Sequence, residues 1–149
     1  MNFNEKEELK KQYFISRDTV QMEKIFIIEM NVKKYEEHIY SDENNVNISM
    51  KRTLKNIDEK KIEGILFANI KIEHNEICLI EFNIVYKGLF VSAETLDDFH
   101  DRVDLQMVPQ MWPYLRTSVT NLSIMFNMPP VILPTIDILN TLKNNNLGK

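Results

Sequence analysis

Apolar and polar residues alternate with period two along four stretches of the chain, and then switch to a helical period. The first alternating stretch is KIFIIEMNV, with Phe26, Ile28, Met30 and Val32 two apart. In the second, Val46, Ile48 and Met50 are interleaved with Asn47, Ser49 and Lys51. The third runs from Ile62 to Glu73 and sets Ile70 and Ile72 against Asn69, Lys71 and Glu73. The fourth, Ile77 to Val91, puts Ile80, Phe82, Ile84 and Tyr86 on one face. Polar segments separate these strands: SDENN reads as a turn and KNIDEKK as a connection. HNE, residues 74–76, reads as a tight hairpin turn because Asn tolerates positive φ. Gly64 and Gly88 fall inside strands, where glycine marks a bulge or a close backbone approach.

The pattern changes at SAETLDDFHDRV. Thr95 suits an N-cap, Asp98 follows three residues later, and Leu96, Phe99 and Val103 would share a face. LQMVPQMWP then carries prolines 109 and 113, which predicts an irregular crossover. Pro113 fits the first position of a long helix in which Leu115, Val119, Leu122 and Phe126 keep helical spacing. Pro129 and Pro130 stop it, and a short helix is expected over 135–143. Residues 4–12 are charged and read as a short helix or a loose arm. The expected architecture is α+β: a four-stranded antiparallel meander sheet, with a long helix and shorter helices packed on one side. The whole chain, 1–149, reads as a single domain with an N-terminal arm within 1–12 and a polar tail at 143–149.

A chain of 149 residues is long enough to bury a core without staples. Its net charge of −4 offers no global counter-charge to a phosphate backbone, so nucleic acid is not an expected partner. The single Cys78 excludes an intrachain disulfide, and its flanks Ile77, Leu79 and Ile80 suggest a buried thiol. The N-terminus lacks the apolar stretch of a signal peptide, and no apolar run approaches the roughly 20 residues of a membrane span. A cytoplasmic protein without membrane insertion is expected.

No Gly-rich phosphate loop, Cys-x-x-Cys pair or GxSxG elbow occurs. Asp97, His100, Asp101 and Asp104 would share one helix face with metal-ligand spacing, but a solvated acidic face explains them as well. Neither a catalytic residue nor a cofactor is expected, and the chain does not read as an enzyme. The informative residues are apolar. Met107, Met111, Met125 and Met128 cluster with Trp112, Tyr114 and Phe126, either as core or as a surface that repacks around partners. Leu105, Met107, Val108 and Met111 on a crossover loop would line a groove or a subunit interface.

Three motifs in order over residues 80–142 resemble the SecB family of export chaperones. WPYLR, residues 112–116, is similar to that family's Phe-Pro-Tyr-Ala-Arg at the start of its long helix. MPPVILPTIDIL, residues 128–139, resembles its Phe-Pro-Pro…Leu-x-Pro-x-Asn-Phe-x-x-Leu, and VYKGLF, residues 85–90, its Tyr-x-Gly-x-Phe. Trp112 and Ile138 stand where the family has Phe, and Leu115 where it has Ala. The resemblance implies a homo-oligomer, dimer or tetramer, that holds unfolded polypeptides in apolar grooves between sheet and crossover. The implied groove residues are Val46, Ile48 and Met50 with Met107, Val108, Met111 and Trp112. The helix Pro113–Asn127 would serve subunit packing and the groove floor.

The family also binds the SecA motor ATPase through an acidic patch on the sheet. Asn83 replaces a glutamate of that patch, and Glu81, Glu23 and Glu29 are the residues left to supply it. The implied function is an ATP-independent holdase that keeps unfolded or secretory polypeptides export-competent. The alternative is an adaptor dedicated to one client, such as an antitoxin.

Overall fold

The structure is a computed structural model and describes residues 2–36 and 44–135. Helix α1 (Phe3–Thr19) leads into strands β1 (Gln21–Lys34), β2 (Asn45–Asp58), β3 (Lys61–His74) and β4 (Ile77–Val91), and helix α2 (Phe99–Met125) follows. All strand pairs are antiparallel, so the α+β class and the four-stranded sheet hold. The strand order is β1-β4-β3-β2, so only β2, β3 and β4 form a meander.

Loop length explains the order. Two-residue turns at Glu59–Lys60 and Asn75–Glu76 force their strands to be neighbours. The Asp58 carboxylate accepts the Lys60 N–H at 2.8 Å and tightens the first turn. In the second, Asn75 and Glu76 both have positive φ, 49° and 64°, as a hairpin turn of this hand requires. The β1–β2 connection is too long to impose adjacency, and β1 pairs instead on the far side of β4.

Strand β1 is also irregular. Its register against β4 slips between Met22 and Lys24 and again between Ile27 and Glu29. Each extra residue moves the following side chains to the opposite face. Phe26 therefore pairs with Lys87, whereas Met30 and Val32 pair with Ile84 and Phe82. The single face expected for Phe26, Ile28, Met30 and Val32 does not form.

The segment 105–113 is not a crossover loop. Helix α2 runs through both Pro109 and Pro113. Each proline costs the helix an N–H donor and crowds the carbonyl four residues back. Opposing that cost, Met107, Val108, Met111 and Trp112 are buried against the sheet, each worth roughly 1.5–3 kcal/mol. The prolines are four apart and lie on the less buried side, where a freed carbonyl can reach water. The helix begins after Asp98, not at Thr95.

Its C-terminus is a Schellman motif: Asn127, at φ 56°, donates to Ile124 O at 3.0 Å, and Met128 donates to Ser123 O at 3.0 Å. Most of the short helix expected over 135–143, and the 143–149 tail, lie outside the described residues. Residues 4–12 belong to a helix longer than expected, started by a capping box between Asn2 and Glu5.

The core lies between one sheet face and α2. Ile62, Leu66, Ala68, Ile70 and Ile72 of β3 and Ile80, Phe82, Ile84, Tyr86 and Phe90 of β4 are buried there. Residues beyond α2 complete the cover, with Met128 and Leu133 buried and the Thr120 hydroxyl donating to Val131 O at 2.7 Å. Polar contacts fasten α1 to α2: Gln106 Nε2 donates to Tyr13 O, and Arg102 Nη1 to the Thr19 hydroxyl.

Candidate polypeptide-binding surfaces

Among the described residues the sheet is open at both edges, β1 and β2, and both carry apolar side chains into solvent. An open edge presents unpaired N–H and C=O groups that an extended chain can use.

At the β2 edge, Val46, Ile48, Met50 and Leu54 alternate on the helix-facing side, opposite Ile72, Ile70, Ala68 and Gly64 of β3. Ile48, Met50 and Leu54 are half-buried, and Val46 is exposed. Arg52 lies among them and ties the strand to α2, its Nε 2.6 Å from Asp104 Oδ1. With 13% and 11% of their side chains exposed, the two residues form a largely desolvated ion pair.

Met107, Val108, Met111 and Trp112 of α2 are at most 5% exposed. In the isolated chain they are core residues packed on the sheet, not loop residues facing solvent. Met107 packs over Gly64 and Met111 over Gly88. Trp112 Nε1 is a buried donor with no hydrogen-bond partner among the described residues.

At the β1 edge, Phe26, Ile27, Ile28 and Met30 are each about half exposed. Beside them a cavity of about 510 Å³ opens between β1 and α2, lined by Ile25, Phe26, Ile27, Tyr86, Pro113, Tyr114, Thr117 and Ser118. The Tyr86 hydroxyl at its floor bonds to Ser118 Oγ at 2.5 Å and donates to Tyr114 O at 3.2 Å. Burial pushes the phenol pKa up, against the opposing effect of the Ser118 contact. Gln110 fixes the start of β1 against α2, accepting the Met22 N–H at 3.0 Å and donating to Val20 O at 3.1 Å. The period-two pattern missed this surface because the bulges spread the apolar residues of β1 over both faces.

The outer face of the sheet, turned away from α2, brings together Glu29, Glu81 and Asn83. Glu23 sits in the first bulge. Asn69 Nδ2 donates to both Glu81 Oε2, at 3.2 Å, and Asn83 Oδ1, at 2.8 Å. Lys71 Nζ is 3.6 Å from Glu81. The Asn69 contact, supported by Asn83 and Lys71, holds the Glu81 carboxyl below its usual range in spite of partial burial. These acids are interleaved with lysines rather than gathered into an acidic patch.

The acidic stretch before α2 does not assemble a metal site. Asp97 precedes the helix, Asp104 turns inward to Arg52, and His100 lies 3.9 Å from Asp101. Among the described residues no group of three or more His, Cys, Asp or Glu side chains converges. Cys78 is half-buried, with its Sγ 3.6 Å from Ile80 O, and desolvation raises its pKa. Among the described residues no helix is long and apolar enough to cross a membrane.

A family model described as preprotein translocase subunit SecB matches residues 15–146. Among solved structures, the Mycobacterium tuberculosis SecB-like chaperone Rv1957, in complex with a ChAD peptide from the Rv1956 HigA1 antitoxin, superposes with a TM-score of 0.71. It is 12% identical over 87% of this chain and 99% of its own. A protein of unknown function from Streptococcus agalactiae covers 78% of this chain and 97% of its own, at 13% identity and a TM-score of 0.45. No curated protein sequence matches the chain.

Proposed function

The chain belongs to the SecB family, and from that premise we propose that it is a cytoplasmic, ATP-independent holdase for unfolded polypeptides. The observation that carries this reading is the β2 edge. Val46, Ile48 and Met50 form a partly open apolar row on a strand whose outer hydrogen-bonding edge is free among the described residues. A client can add as a further strand, its backbone paired with β2 and its apolar side chains against that row. Such binding demands little sequence and no nucleotide.

The β1 edge, with its apolar side chains and the adjoining cavity, fits a second copy of the chain, so that the working species is a homo-oligomer. A photo-crosslinking residue at Ile48 or Met50 tests the client assignment. It should capture an unfolded client, and one at Ile27 should capture a second copy of the protein. Client capture at Ile27 alone would reverse the two assignments.

A second reading is a chaperone dedicated to one client. The bound antitoxin peptide of the M. tuberculosis neighbour favours it. Capture of one polypeptide from a cell extract, rather than many, would select this reading. A contact with a SecA-type motor through Glu23, Glu29, Glu81 and Asn83 draws no support from the charge of that face.

A further inference from the structure

The outer sheet face differs from the chain as a whole. Five cross-strand rows run over it from β1 to β2: Lys33–Glu81–Lys71–Asn47, Asn31–Asn83–Asn69–Ser49, Glu29–Val85–Phe67–Lys51, Phe26–Lys87–Ile65–Thr53 and Lys24–Leu89–Glu63–Lys55. These rows hold six lysines and three glutamates, in a chain whose net charge is −4. Lys71 offsets Glu81, and Lys87 lies 3.4 Å from Glu63. Lys51 and Lys55, at the β2 end, are exposed and have no ion-pair partner among the described residues.

The face is also not flat. A trough of about 480 Å³ crosses its centre, with Phe67 and Val85 in its floor, Asn69 and Asn83 along one side, and Lys51 and Glu29 at opposite ends. Phe67 is 43% exposed although it stands on a central strand. A large apolar side chain ringed by polar ones is the composition of an interaction surface.

We propose that this trough docks an extended acidic segment of a partner protein, with an apolar residue on Phe67 and carboxylates over Lys51 and Lys55. Along the trough row itself the charges give the segment a direction, with Lys33 and Lys24 of β1 lying in the rows to either side. Glu29 repels acid at the β1 end, about 14 Å from the β2 end across three strand spacings. The three interleaved glutamates and the apolar floor disfavour a uniform polyanion such as nucleic acid. The site lies on the opposite face of the sheet from the proposed client row, so it stands or falls separately from the holdase reading.

The test uses the full-length protein and two labelled synthetic peptides, one alternating glutamate with leucine and the other lysine with leucine. The glutamate peptide should bind about tenfold more tightly, more weakly as salt rises, and should shift the amide resonances of Phe67, Asn69, Asn83 and Val85. Lys51→Glu combined with Lys55→Glu should abolish that preference while the circular dichroism spectrum stays unchanged. Equal binding of both peptides, or shifts confined to Val46, Ile48 and Met50, would overturn the proposal. Tighter binding to a DNA duplex or to anionic vesicles than to the glutamate peptide would overturn it too.

Discussion

Gly64 and Gly88 stand directly opposite each other across β3 and β4, and the side chains of Met107 and Met111 fill the space above them. A Cβ on Gly64 would lie 2.9 Å from Met107 Sδ and 3.0 Å from the Phe90 ring. A Cβ on Gly88 would collide with the Met111 methyl. The pair lets α2 approach the sheet closely at its proline-containing turns. Gly88→Ala should therefore destabilise the protein by about 1–3 kcal/mol through overpacking. Urea denaturation at fixed protein concentration measures this, and Met111→Leu in the same chain should change the cost because the two positions share one space.

Trp112 is buried, but its indole N–H has no acceptor among the described residues. Trp112→Phe removes that donor and keeps most of the apolar area, so stability should stay within about 1 kcal/mol of the parent. Trp112→Ala should cost about 3–5 kcal/mol. Thermal unfolding separates the two variants. Equal losses would mean that the indole nitrogen has an acceptor after all.

The Arg52–Asp104 pair joins the β2 edge to α2 across a largely desolvated gap. Arg52→Ala takes from the buried Asp104 its ion-pair partner at 2.6 Å, so it should destabilise by about 3–5 kcal/mol. Replacing both, Arg52→Met with Asp104→Leu, should restore most of that loss. Denaturation of the two singles and the double gives the coupling directly. Additive losses would show that the pair contributes only through packing.

Three described residues adopt left-handed backbone conformations where glycine would fit without strain: Asn75 and Glu76 in the β3–β4 turn and Asn127 after α2, at φ 49°, 64° and 56°. Glu76→Gly should raise stability by about 1 kcal/mol, since a side chain in this region costs roughly that much. Asn127→Gly should gain less, because Asn is already tolerated there. A rise in the denaturation midpoint at unchanged slope is the expected signature.

The sequence made the four strands, the long C-terminal helix and the HNE turn legible, because period-two alternation, prolines 129 and 130 and an Asn at positive φ are local signals. It also marked Gly64 and Gly88 as bulges or sites of close approach, and the structure shows close approach. The strand order was not legible, since no local feature states where β1 will dock once its connection is too long for a hairpin. The β1 bulges hid the apolar edge by breaking the alternation that would have shown it. Prolines 109 and 113 suggested a break because propensity is local, whereas the burial that holds the helix together there depends on the sheet. For the same reason Met107, Val108, Met111 and Trp112 could be picked out as apolar but not assigned to core or groove. The lysine-rich outer face was hidden in a net negative chain, because charge sorts by face only after the strands are paired.

The most direct measurement is light scattering from a chemically unfolded client diluted into buffer with and without this protein, in the absence of ATP. Suppression of aggregation at near-stoichiometric ratios, lost in an Ile48→Glu variant that still folds, is the predicted result. Unchanged aggregation at stoichiometric excess of the folded protein would contradict the holdase account.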